Sequence, residues 1–551
     1  MKQQSPLKKL LDLILLDKQE VISIYFYAIL SGLVQLSLPI GVQAIIGFVM
    51  GATMVTSIYV LIFLVVLGVL MVGVMKINQM RIIEKVQQKI FTRNAFAFAE
   101  KIPNLDLQAM DKYYLPEKVN YFFDTLNVQK GLSKILLNIP TASIQILFGL
   151  LLLSLYHPFF IAFGIILIVI LFTILKLTST KGLASSLEES SHKYAVVAWL
   201  EEMAKVIKSF KFSQGTHFNL QKTDESLVKY IEARTTHFKV LLFQYKTLVF
   251  FKVAITTAML VVGTTLLLRQ QLNIGEFIAA EIVILSVINA VEKLIVNLDS
   301  AYDVVTGLEK LSIITESPSE KDGNEILNVN HGVEIQLNNV HFYYHEKVPV
   351  LSNINLSIPA KSLVCITGEE ESGKSSLLKL LSGSYRSFEG SILYNLIPLL
   401  NYRLESVRAA TGIMLNQQEV FAGTVYENIS LGKNSLSVER IMTLAKELGI
   451  EQFITSLPQG FETIIDTAGK KLASTFVKKI LLLRALVHNP HLLLLEEPWM
   501  GLEETTRYLI IKYLIKKSAT STVIIVSNDS SFIQQCSMVI EMKNGEAYLK
   551  H

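Results

Sequence analysis

The sequence predicts a two-module protein: an all-α membrane domain of six spanning helices, followed by a soluble α/β domain built around a phosphate-binding loop. Three observations predict it. Hydrophobic residues make up 51% of the 551-residue chain and charged ones only 18%, against roughly 25% charge in ordinary globular domains. Uncharged stretches long enough to cross a hydrocarbon core lie in the N-terminal part of the chain. The C-terminal part carries the pattern GxxxxGK[ST] between a strand-like and a helical run. Length alone would suggest about three or four soluble domains. The hydrophobicity overrides that count. High apolar content excludes disorder, and 28 Gly and 13 Pro without a period exclude a collagenous chain. The net charge of +4 asks for no nucleic-acid partner. Two cysteines, Cys365 and Cys536, are too few for a disulfide framework, and both are expected to be reduced.

Six spans follow from the runs of apolar residues, each needing about 20 helical positions. The first runs from Val21 to Met50 and the second from Ser57 to Met75, with an uncharged external turn over Gly51–Thr56. The third, Leu136 to Leu155, and the fourth, Phe159 to Leu175, form a hairpin around His157-Pro158. The fifth, Lys252 to Leu268, and the sixth, Phe277 to Asn297, are joined by Arg269–Glu276.

Charge sets their orientation. Lys2, Lys8, Lys9 and Lys18 precede the first span, and Lys76, Arg81, Lys85, Lys89, Arg93, Lys101, Lys112 and Lys118 follow the second. The turns at the other ends carry almost none, so the basic side faces the cytoplasm. The first apolar segment is too long for a removable signal peptide. The two inner connections, Lys76–Leu132 and Lys176–Lys246, read as helical stalks. At 1.5 Å per residue, an excursion of ~25 residues reaches roughly 35 Å beyond the membrane. Reversals are expected near Pro103–Pro116 and Ser213–Phe218.

After the sixth span, turn formers and charges at Glu316–Asn324 mark a linker. The expected organisation is a transmembrane domain over 1–315, a linker over 316–332 and an α/β domain over 333–551. The alternation Val333-Glu334-Ile335-Gln336-Leu337 opens the last of these.

In Gly368-Glu369-Glu370-Glu371-Ser372-Gly373-Lys374-Ser375-Ser376, the glycines let backbone N–H groups close around phosphates. The strand Ser362–Thr367 precedes this loop and a leucine-rich helix follows it. Lys374 is placed to reach β- and γ-phosphates and Ser375 to ligate Mg²⁺, with the helix N-terminus adding partial positive charge. The three loop glutamates are expected to point outward. Further on, His491–Glu497 is an apolar strand ending in two carboxylates, suited to Mg²⁺ ligation and water polarisation.

With these motifs in order, nearly the whole chain resembles a half-size exporter of the ABC transporter superfamily. Supporting segments are Val340-His341-Phe342-Tyr343-Tyr344, Phe421–Ile429 and Arg484–Pro490. The resemblance implies ATP as ligand with Mg²⁺. It implies Tyr344 stacking on adenine, Gly368, Ser372, Gly373, Lys374, Ser375 and Ser376 around phosphate, Ser375 and Glu496 at the metal, and Glu497 as catalytic base. It also implies assembly with a second half, as homodimer or heterodimer, in the plasma (inner) membrane with the N-terminus and ATP-binding domain cytoplasmic, and a periplasmic adaptor as a further partner class.

Several positions depart from the family pattern. The Mg²⁺-sensing glutamine aligns with Asn416, or by a one-residue slip with Gln417. The LSGGQ signature aligns with Leu472-Ala473-Ser474-Thr475-Phe476, where Ser474 and Thr475 replace glycines. Glu496 stands for an aspartate, Met500-Gly501-Leu502-Glu503 for SALD, and Asn528 for the switch histidine. An amide donates a hydrogen bond but does not become a cation near neutral pH. Two functions follow as expectations: an exporter coupling ATP binding and slow hydrolysis to transport, or a catalytically weakened relative acting as an ATP-responsive sensor or scaffold. In the sixth span, Glu281, Glu292, Asp299 and Asp303 fall on one helix face, an acidic stripe expected to meet water, a cavity or a partner helix.

Overall fold

In the computed structural model of the chain, the described residues are 6–51, 55–111, 114–212, 216–329, 331–344, 348–416, 418–433, 435–465 and 473–550. They form two compact units, Met1–Asn104 with Tyr113–Ser317, and Leu105–Lys112 with Pro318–His551.

The first unit is helical: α1 (Pro6–Leu16), α2 (Lys18–Gln35), α3 (Ser37–Met50) and α4 (Val55–Lys101) precede the short α5 (Leu107–Met110), which belongs to the second unit. Then follow α6 (Leu115–Val119), α7 (Asp124–Tyr156), α8 (Phe159–Lys205), α9 (Ile207–Phe212), α10 (Phe218–Leu268) and α11 (Ile274–Thr315). Among the described residues, six helical segments are long and apolar enough to cross a membrane. The stalks are continuous with the spans: α4 and α8 each have 47 residues and α10 has 51. The second reversal lies partly outside the described residues, as do three positions of the turn after Gly51.

The first span is two helices rather than one. Pro39 lacks an N–H to bond the Gln35 carbonyl and its ring crowds that oxygen, so the helix breaks between Gln35 and Ser37. Midway along α3, Gln43 Oε1 accepts a 2.8 Å bond from the Tyr156 hydroxyl, which gives this amide an interhelical partner. Half of the apolar window of α11 is buried, against 11% for the second span, so α11 is the central helix of the unit. It starts sharply because Asn273 and Glu276 form a reciprocal capping box with two 2.8 Å bonds. It packs closely on α7: a Cβ at Gly131 would stand 2.9 Å from the Ser300 carbonyl oxygen and 2.5 Å from Val304 Cγ2. Part of the acidic stripe is paired across helices. Lys252 of α10 forms an ion pair with Glu292, and His237 Nε2 lies 3.3 Å from Asp299 Oδ1. Glu281 is half-buried and Asp303 exposed.

The second unit contains β1 (Ile335–Phe342), β2 (Leu351–Ile358), β3 (Leu363–Gly368), α12 (Lys374–Leu381), β4 (Glu389–Tyr394), β5 (Ile397–Pro398), α13 (Leu404–Ala410) and β6 (Thr411–Met414). After these come β7 (Gly423–Thr424), α14 (Val425–Ser430), α15 (Val438–Glu447), α16 (Glu451–Thr455), β8 (Ile464–Ile465) and α17 (Ser474–Leu486). The last elements are β9 (Leu492–Glu496), α18 (Glu504–Ser518), β10 (Thr522–Val526), α19 (Ser530–Ile533), β11 (Met538–Lys543) and β12 (Glu546–Lys550). The main sheet has the order β12-β11-β3-β10-β9-β6, parallel except at the β12 edge. A second sheet, β2-β1-β4-β5, is antiparallel. Every residue of β9 and β10 is buried, the expected state of central parallel strands covered on both faces. Each fully buried leucine of β9 contributes roughly 1.5–3 kcal/mol of transfer free energy. Cys365 and Cys536 are both free thiols.

The tip of the first excursion lies within this unit. Asp106 caps α5 by accepting from Gln108 N and Ala109 N, and its own N–H donates to Pro318 O at 3.1 Å. Gln108 Nε2 donates to the carbonyls of Tyr343 and Ser387, each at 3.3 Å, and the Tyr385 hydroxyl donates to Asp111 at 2.9 Å.

Candidate nucleotide site

Parallel register brings the site together. Val526 of β10 stands opposite both Ile366 of β3 and Glu496 of β9, and Leu495 stands opposite Met414 of β6. Two residues beyond these positions lie Gly368, Asn528 and Asn416. Residues far apart in sequence therefore meet beyond the carboxyl ends of four adjacent parallel strands, the usual ligand position in open α/β sheets.

The loop between β3 and α12 depends on glycine at two points. Gly368 has φ 143° and Gly373 φ 100°, and a Cβ would stand 2.3 Å from Met542 O at the first and 2.7 Å from Leu351 Cδ2 at the second. Glu371 also has positive φ, 62°, and the three loop glutamates are exposed as expected. Lys374 Nζ turns back onto its own loop and donates to Gly368 O at 2.9 Å, to Ser372 Oγ at 3.2 Å and to Glu369 O. Burial depresses its pKa, while Glu496, Glu497 and Glu370 oppose the shift.

Glu496 is the hub. Its Oε1 accepts from the Ser375 hydroxyl and its Oε2 from the Asn416 backbone N–H at 3.0 Å. The extra methylene relative to aspartate gives the carboxylate the reach to span both. The Asn416 side chain is exposed, and Gln417 lies outside the described residues.

Glu497 follows in a left-handed backbone conformation, φ 44°. Its Oε2 accepts from Ser527 Oγ at 3.4 Å. Burial raises its pKa, with Ser527, Asn528 and the Lys478 cation opposing. The Asn528 side chain pairs with the start of the phosphate loop: Oδ1 accepts from Thr367 Oγ1 at 2.7 Å and from Gly368 N at 3.3 Å, and Nδ2 donates to Gly368 O at 3.3 Å.

Tyr344 borders the same loop. Its hydroxyl is 3.0 Å from Ser376 Oγ, and its ring meets Phe342 and Tyr385 edge-on at centroid distances of 4.8 and 5.4 Å. Ser474 is exposed at the first position of α17, and Leu472 lies outside the described residues.

Residues 351–500 match the family model described as ABC transporter. Over 289 residues the chain is 33% identical to a probable ABC transporter ATP-binding/permease protein of Haemophilus influenzae, an alignment covering 52% of each chain. It is 28% identical over 285 residues to the alpha-hemolysin translocation ATP-binding protein HlyB of Escherichia coli, covering 52% of this chain and 40% of HlyB. The alignments thus span about half or less of these curated relatives. The structure of a bacterial Atm1-family ABC exporter with ATP bound superposes with a TM-score of 0.86 at 18% identity, covering 96% of this chain and 94% of that one, a likeness of fold. Residues 351–500 thus carry an ABC transporter domain. Six apolar helices among the described residues, fused to this ATP-binding domain, make the chain a multi-pass membrane protein.

Within the ABC domain, the strand ends gather Gly368, Ser372, Gly373, Lys374, Ser375, Asn416, Glu496, Glu497 and Asn528, with Ser376 and Tyr344 alongside. Among the described residues, no hydrogen bond links Ser474 to that cluster. Sequence reasoning missed two participants. Thr367 is a polar residue closing an apolar strand, a visible signal. Lys478, which donates to Met500 O at 3.0 Å and Glu497 O at 3.4 Å, sits in a helix where a lysine ordinarily reads as a solvated face.

Proposed function

We propose that this chain is one half of an ATP-driven exporter, coupling ATP binding and hydrolysis to movement of a substrate across a membrane. In this reading residues 1–315 form the transmembrane domain, 316–332 the linker and 333–551 the ATP-binding domain. Two such halves assemble, as homodimer or heterodimer, in the inner membrane with the ATP-binding domain and N-terminus in the cytoplasm. A periplasmic adaptor is a further partner this arrangement allows. The observation that carries the reading is the joining of Ser375 to Glu496 in a chain that also supplies six membrane-length helices.

The loop N–H groups and the Lys374 ammonium bind the phosphates, with the N-terminus of α12 adding its partial positive charge. Tyr344 offers a ring for adenine, and Gly368, Ser372, Gly373 and Ser376 shape the cradle. Ser375 Oγ and the Glu496 carboxylate are hard oxygen donors that fit Mg²⁺, which when bound neutralises phosphate charge. Glu497 orients a water and accepts its proton at the carboxylate. Asn416 and Asn528 complete the phosphate environment through neutral donors, and Ser474 offers its hydroxyl to the phosphate held by the second half; neutral donors favour ATP binding over fast turnover.

The reading is tested by phosphate release from the lipid-reconstituted chain, wild type against Glu497→Gln. Glu497-dependent release supports it. Tight ATP binding without such release, alone or beside another half, would instead favour a sensor or scaffold.

A further inference from the structure

We propose that Lys478 is a positioning residue for Glu497, clamping the turn from Glu497 to Met500 onto the first turns of α17. The inference rests on the reading of Glu497 as the base and adds a residue that reading does not contain. Four observations support it. The Lys478 ammonium donates to two carbonyls of one turn, Glu497 O at 3.4 Å and Met500 O at 3.0 Å. That turn needs holding, because Glu497 is a non-glycine residue at φ 44°, a conformation that costs free energy unless its surroundings enforce it. Across the same contact, Thr475 Cγ2 approaches to 3.7 Å of the position a Cβ would take on Gly501, whose φ is 83°. Finally, Lys478 is half-buried, and the charges acting on it are Glu497 and Glu496.

A lysine here does two things a neutral residue does not. Its tetrahedral ammonium has three donors, enough to bridge carbonyls three residues apart. It also sets a positive charge beside Glu497 and Glu496. Because α17 begins at Ser474, the clamp ties the turn bearing Glu497 to the helix whose N-terminus aligns with the signature. Displacement of that helix start would therefore move the carboxylate.

The test uses the full-length chain in lipid nanodiscs, comparing wild type with Lys478→Met and Lys478→Arg. Amide hydrogen exchange over residues 497–502 should be faster in Lys478→Met and near wild type in Lys478→Arg. Turnover of Mg-ATP should fall about tenfold in Lys478→Met, while the Kd of a fluorescent ATP analogue stays within about twofold. Should Lys478→Met not fold, Lys478→Gln gives the same comparison, since it removes the charge and shortens the reach. Unchanged exchange over 497–502 in the Met or Gln variant overturns the clamp. So does a loss of nucleotide affinity as large as the loss of turnover. If the wild type itself releases no phosphate, the exporter reading fails, and the exchange measurement still decides the clamp.

Discussion

The Ser375 hydroxyl donates to Glu496 Oε1, so the phosphate loop and the end of β9 are joined directly, across 121 positions of sequence. The second carboxylate oxygen holds the Asn416 N–H at 3.0 Å. One buried side chain thus ties the end of β9 to the start of α12 and to the residues that follow β6.

Replacing Glu496 with alanine leaves the Ser375 hydroxyl and the Asn416 N–H without that acceptor. Ser375 is half-buried and Asn416 exposed, so each loss falls below the about 1–3 kcal/mol that a fully buried unsatisfied group costs. Thermal unfolding should show a lower Tm, and binding of an ATP analogue should lose most of its dependence on Mg²⁺. Glu496→Asp should be intermediate, since the shorter side chain reaches one partner but not both.

Glu497 gives a pH prediction. Burial raises its pKa above the usual glutamate value, so its ionised form is disfavoured in the folded state. Stability from this group is fully present below the ordinary glutamate pKa and is lost as pH rises through the raised one. Glu497→Gln should therefore raise Tm at neutral pH, and the gain should shrink toward zero in acid. Hydrolysis, which needs the carboxylate, should fail on the acid side at a higher pH than an exposed glutamate would impose.

Asn528 is engaged with Thr367 and both polar groups of the Gly368 peptide. Asn528→Asp removes the Nδ2 donor and adds negative charge beside the phosphates, so ATP-analogue affinity should drop about tenfold or more. Asn528→His, combined with glycines at Ser474 and Thr475, should raise phosphate release. No rise would mean that these substitutions do not limit turnover.

Gly373→Ala should abolish nucleotide binding while most of the fold survives. Its φ is 100°, and the added methyl would meet Leu351 Cδ2 at 2.7 Å and Val350 O at 3.1 Å. Relief requires the loop to move, which displaces the N–H groups that face phosphate. Circular dichroism near wild type with no ATP-analogue binding is the expected pair of results.

Local patterns made much of this legible. Apolar runs located six spans, basic residues marked the stalks, and GxxxxGK[ST] identified Gly368 to Ser375 with its strand and helix. Contacts that depend on register across distant strands were not legible. Nothing local indicates that Asn528 lies against Gly368, because that follows from β3 and β10 being neighbours. The break before Ser37 could be rationalised from Pro39, yet Pro140 sits inside α7 without ending it, so proline alone does not decide. Lys478 was missed because its partners are backbone carbonyls, which leave no trace in residue type.

The most direct measurement is the identity of the nucleotide that stays bound. The reconstituted chain is loaded with Mg-ATP, free nucleotide is removed, and the bound fraction is analysed after incubation. With Glu497 as the base, hydrolysis leaves ADP on the wild type and intact ATP on Glu497→Gln. Intact ATP on both would contradict that role.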